Sequence, residues 1–83
     1  MQSWQWRGSN IVRTAMPERL GNRLREEREQ RGWTQAELAS LVSVSRKTVN
    51  TIENGLVAPS TLVALKLARA LNVPVEQLFW IEN

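Results

Sequence analysis

After residue 17, helix start and stop signals recur so closely that no helix can exceed about four turns. The first helix is expected from Glu18 to about Arg31, with Gly32 as its left-handed stop. Thr34 and Glu37 have capping-box spacing and open a second helix that should run to Leu41 or Val42. Ser45 caps a third helix, which Asn54-Gly55 ends. Pro59-Ser60 precedes a fourth over Thr61–Leu71, stopped by Asn72, and Pro74 begins a last short helix over Val75–Phe79. Five short helices on brief loops imply an all-α bundle. The first helix has a thin apolar stripe, Leu20 and Leu24 continued by the stem of Arg28. Its Arg25/Glu29 and Glu27/Arg31 pairs at i,i+4 suggest a solvated charged face.

Residues 1–16 differ from the rest: they show no helical period, and Trp4 and Trp6 alternate with polar residues. They form an N-terminal extension, either weakly structured or a strand-like arm across a dimer, ahead of a domain over 17–83. The sequence contains no His, Cys, Tyr or Asp, so it offers no disulfide, no Cys/His zinc site and no Cys or Ser–His nucleophile. The glycines at 8, 21, 32 and 55 are isolated rather than gathered in a phosphate loop, so an enzyme is the weakest reading and no metal or cofactor is implied. The longest apolar runs, Leu62–Leu65 and Leu78–Ile81, are four residues each. A bilayer span needs about 20. No signal-peptide stretch is present either, so no membrane partner is expected and a cytoplasmic location is the default.

The informative stretch is Gln35–Gly55. On a helical wheel Val49, Ile52 and Ser45 share one side of the third helix, flanked by Thr48 and Glu53. Arg46, Lys47, Asn50, Thr51 and Asn54 form a continuous hydrogen-bonding face opposite. Two short helices joined by a tight turn, the second with a polar and cationic outer face, have the shape of a helix-turn-helix. That shape suits double-stranded DNA. The major groove admits one α-helix, Arg and Lys donate to guanine O6 and N7, and Asn can bridge adenine N6 and N7.

These residues resemble the Cro/repressor-type, or lambda repressor-like, helix-turn-helix of the Xre family. The apolar positions of that pattern hold Leu38, Val42, Val44, Val49 and Ile52; its small residue is Ala39, its glutamine Gln35, and its ending Glu53-Asn54-Gly55. The likeness extends over 19–35 and 59–79. It implies a compact five-helix DNA-binding domain and a sequence-specific transcriptional regulator, most simply a repressor, acting as a homodimer on two half-sites. It further implies that Arg46, Lys47, Asn50 and Thr51 read bases. Thr34 and Ser45 are caps first, close to the DNA backbone, and Gln35 holds a phosphate while bracing the recognition helix. Asn54 either touches phosphate or simply precedes the cap Gly55. Arg28 and Glu53 resemble the family's partly buried salt bridge. One position departs from the pattern: the turn usually carries Gly where this chain has Ser43.

Other readings stay open. An antitoxin or restriction controller would add a protein partner, and a larger ligand-sensing regulator would add an effector domain beyond this sequence. Trp33 is expected in the core. Trp80 and Ile81 either pack back on the domain, meet a second copy or face such an effector domain. The formal charge of +3 is poor evidence for DNA binding, because residues 1–31 hold seven Arg and four Glu while the remainder is balanced. The wheel and the motif carry the case.

Overall fold

The computed structural model describes residues 18–82, so the extension through Trp4 and Trp6 lies outside the described residues. The first helix does not begin at Glu18. Arg19–Asn22 form a strand, β1, and helix α1 spans Leu24–Gln30. Gly21 and Asn22 are the physical reason: glycine is a poor helix former, and Asn preferentially bonds nearby backbone. The Asn22 carboxamide oxygen accepts from the Leu24 N–H at 2.9 Å, and its nitrogen donates to the Ile52 carbonyl at 3.1 Å. Leu20, expected in the helical stripe, lies on the strand and is exposed.

Helices α2 (Gln35–Val42), α3 (Arg46–Glu53), α4 (Thr61–Leu71) and α5 (Val75–Leu78) follow, and then a second strand, β2 (Phe79–Glu82). The last helix therefore stops one residue earlier than expected, because Phe79 is extended and pairs with Asn22. The strands run antiparallel, with Leu20 opposite Ile81 and Gly21 opposite Trp80. Among the described residues five helices match the expected number, but a two-stranded ribbon is added, so the fold is all-α only approximately. Trp80 packs back on the domain: its indole covers the buried Gly21, where any Cβ would collide with it.

The core joins all five helices through Leu24, Leu38, Val49, Leu67, Leu71 and Leu78, each fully buried. The apolar positions of the helix-turn-helix, Leu38, Ala39, Val42, Val49 and Ile52, are buried within it. Trp33 is half-buried and packs against this cluster.

Helices α1 to α4 end in the same way. Gly32, Ser43, Gly55 and Asn72 all take a left-handed backbone, with φ of 70°, 60°, 71° and 57°. The next residue's N–H then reaches back five positions, as from Val44 to the Ala39 carbonyl at 3.0 Å and from Leu56 to Thr51 at 3.0 Å. Trp33, Val44 and Val73, the residues after three of these stops, pack onto the core, whereas Leu56 remains 71% exposed.

Ser43 bears the Cβ strain of a left-handed residue, which costs on the order of 1 kcal/mol. Ser43→Gly should therefore raise the melting temperature in a thermal unfolding scan; a fall would show that the side chain is needed for another contact.

Candidate nucleic-acid interface

Both helices of the turn begin with side-chain caps. The Thr34 hydroxyl accepts from the Glu37 N–H at 3.0 Å, and the Thr34 N–H donates to the Glu37 carboxylate at 2.7 Å. The Ser45 hydroxyl accepts from the Thr48 N–H at 3.0 Å. With its start fixed, α3 turns Val49 and Ile52 inward. Arg46 and Lys47 are exposed, Asn50 and Thr51 half-buried and Asn54 exposed. Arg46, Lys47 and Asn50 line one shallow concavity, and neither cation has an ion-pair partner among the described residues. The Thr51 hydroxyl donates to the Thr48 carbonyl at 3.0 Å, which leaves it an acceptor toward solvent.

The carboxyl end of α3 is held by a buried carboxylate. Arg28 grips Glu53 with two nitrogens, Nε to Oε2 at 2.6 Å and Nη2 to Oε1 at 3.1 Å, and donates a third bond to the Trp33 carbonyl at 2.8 Å. The Glu53 side chain has no exposed surface and that of Arg28 is 11% exposed. Burial pushes the Glu53 carboxyl up. Hydrogen bonds from Arg28 and Gln35, the Arg28 charge and a bond from Arg25 outweigh that and hold it below the usual carboxylate range. The same hydrogen bond to Glu53 raises Arg28 against the opposing effect of burial.

This carboxylate fixes the polarity of the amides beside it. A carboxylate only accepts, so the Gln35 atom that meets Glu53 Oε1 at 3.1 Å must be its nitrogen. That nitrogen also donates to Asn50 at 3.1 Å, so Asn50 turns its oxygen inward. The Asn54 nitrogen donates to the Asn50 carbonyl at 2.8 Å and to that same side-chain oxygen at 3.1 Å. The Asn54 oxygen is left to accept from Arg25 Nη2 at 3.3 Å. Each amide is oriented by its neighbour, starting from Glu53.

The helix-turn-helix family model matches residues 24–78. The chain belongs to the helix-turn-helix family. An HTH-type transcriptional regulator of Bacillus subtilis, YgzD, is 41% identical over 64 residues, 77% of this chain and 97% of that protein. Another from Archaeoglobus fulgidus is 46% identical over 64 residues, covering 77% of this chain and 91% of its own length. The fold is similar to the restriction-modification controller protein C.AhdI of Aeromonas hydrophila, with a TM-score of 0.64 and 39% identity over 68% of this chain and 85% of that one. Among the described residues, no helix of this helix-turn-helix protein is long and apolar enough to cross a membrane.

The structure brings Arg28, Gln35, Asn50, Glu53 and Asn54 together, and it places Arg46 and Lys47 at the opposite end of α3. The first helix is less solvated than its composition suggests, since Glu27 and Arg28 are buried and Arg31 donates to the Glu27 carboxylate at 2.9 Å. Arg25, expected to pair with Glu29, instead reaches α3. Its spacing from Arg28 (i,i+3) was the available signal, because it puts both guanidinium groups on one helix face.

Deleting one partner of the Arg28–Glu53 pair strands a desolvated charge. Arg28→Met or Glu53→Gln alone should cost about 3–5 kcal/mol in denaturant unfolding. The double variant should cost less than the sum; simple additivity would refute the coupling.

The depressed Glu53 carboxyl makes a signed prediction for pH. Its contribution to stability should be complete above the ordinary carboxylate range and be lost as pH falls through its lowered folded value. Acid titration of the melting temperature for the wild type and Glu53→Gln should show that component only in the wild type.

Proposed function

We propose that this DNA-binding regulator of transcription is of the Cro/repressor type and lays α3 in the major groove as its recognition helix. The observation that carries the reading is that one face of α3 combines amides held in a set direction, Asn50 and Asn54, with two exposed cations, Arg46 and Lys47, that have no ion-pair partner among the described residues. Arg46, Lys47, Asn50 and Thr51 read base edges, and the unit that does so spans 17–83. Because the Asn50 oxygen already accepts from Gln35 and Asn54, its outward group is the N–H2 donor. That donor suits guanine O6 or N7, adenine N7 or thymine O4. The two-point adenine contact would require Asn50 to leave both partners.

Thr34, Gln35, Ser45 and Asn54 lie along the DNA backbone. Gln35 directs its side-chain nitrogen at Glu53 and Asn50, so its phosphate contact is made by its main-chain N–H at the first turn of α2. The Thr34 and Ser45 hydroxyls act as caps and approach phosphate from the same helix ends. Two copies place their recognition helices about 34 Å apart, one turn of the duplex. Exposed Leu56 and Val57, directly after α3, supply apolar surface for that pairing. Occupying a promoter in this way represses transcription in the cytoplasm. The likeness to a restriction-modification controller favours, as a second reading, a controller with a protein partner.

Selection of bound sites from random DNA tests the reading, with a two-fold symmetric pair of half-sites as the expected product. On the selected site Arg46→Ala should cost about 1–3 kcal/mol by fluorescence anisotropy and relax preference at one base. An equal loss on random duplex would reassign Arg46 to phosphate.

A further inference from the structure

We propose that Arg25 and Asn54 form a phosphate-binding subsite at the carboxyl end of α3, with Arg25 as its cationic donor; this rests on the reading of α3 as the recognition helix. Three observations converge on it. The Arg25 guanidinium crosses from α1 to the end of α3, donating to Asn54 at 3.3 Å and to Glu53 at 3.5 Å. The Arg25 side chain is 49% exposed, while the Glu53 carboxylate it touches is wholly enclosed, so the rest of its fork of N–H donors faces solvent. Finally, Glu53 is already neutralised by the two-point grip of Arg28, which leaves the Arg25 charge in excess.

The state of Asn54 assigns the role to Arg25. The Asn54 nitrogen is engaged by two acceptors of Asn50, and its outward oxygen cannot bind an anion. Asn54 therefore orients Arg25 through that oxygen, and the guanidinium, whose planar fork matches phosphate, makes the contact. The ligand is a duplex backbone phosphate. A phosphate here would lie at the far end of α3 from Arg46 and Lys47, so the helix would be held at both ends.

The test is the salt dependence of duplex binding for the full chain. Removing one phosphate contact lowers the slope of log K against log salt by about one and weakens all sequences alike. Arg25→Gln should lower the slope by that amount and weaken a selected site and a random duplex by the same factor, measured at a temperature where the melting curve shows the variant fully folded. Arg25→Lys should keep the wild-type slope, as should Arg69→Gln, a surface-arginine control on α4. In the unaltered protein, the Arg25 Nε–Hε resonance should shift on adding random duplex, which tests the contact without any substitution. A wild-type slope for Arg25→Gln, a loss confined to the selected site, or an unmoved Arg25 resonance would overturn the subsite. If the wild type bound duplex without salt dependence, the reading of α3 would fail, a result distinct from a subsite failure in a protein that binds.

Discussion

The Glu53 carboxylate is buried without any contact with solvent, and much of the structure is arranged around that fact. A carboxylate cannot be held in this position unless its oxygens are met by donors and its charge is opposed. Arg28 from α1, Gln35 from α2 and Arg25 from α1 satisfy these needs, so one side chain on α3 ties both preceding helices to it. The consequence reaches the surface. An amide can be reversed with little change in shape, but beside an atom that only accepts, its direction is set. Gln35, Asn50 and Asn54 inherit their orientations in turn, and the outward donors of α3 follow from a charge hidden behind it.

Much of this was legible in the sequence because it rests on local rules. Caps and left-handed stops act over three to six residues, and the stops at Gly32, Ser43, Gly55 and Asn72 all lie where residue type or motif position placed them. The wheel of α3 separated Val49 and Ile52 from its polar face. The ribbon was not legible, because neither strand is informative alone. Gly21-Asn22 reads through as part of the first helix, because what interrupts that helix is pairing with Phe79 and Trp80 at the other end of the described chain. Phe79–Ile81 has strand-forming residues, yet the pattern assigns Phe79 to the last helix and leaves Trp80 and Ile81 without a fixed partner, because so short a run has no period of its own. Arg25 was misassigned for a related reason. Pairing by i,i+4 spacing considers one helix only, and the partner that prevailed is on another.

The distribution of charge also changes meaning once the partners are known. The excess of arginine over glutamate lies in residues 1–31, away from the helix-turn-helix in sequence. In space α1 packs on α3, so this separation is only apparent. Arg28 is neutralised by Glu53 and Arg31 is tied to Glu27, but Arg25 emerges at the edge of α3. A basic first helix is thus sorted into structural and solvent-facing cations by the carboxylates opposite them. Composition cannot make that distinction.

Stability and the layout of the polar face are consequently hard to separate in this domain. In many binding surfaces the contact residues stand on a core that would fold equally well without them. Here the group that closes the core between α1, α2 and α3 is also the one that orients the amides of the polar face. Weakening the Glu53 pair would loosen helix packing and, at the same time, free Gln35 and Asn50 to rotate. Binding would then carry the entropy of fixing them again. Burial of a charge is a poor route to stability by itself, since an apolar replacement of similar shape is often as good. What an apolar replacement cannot do is give direction to a neighbouring amide. That function accounts for a carboxylate at this position better than any contribution to packing.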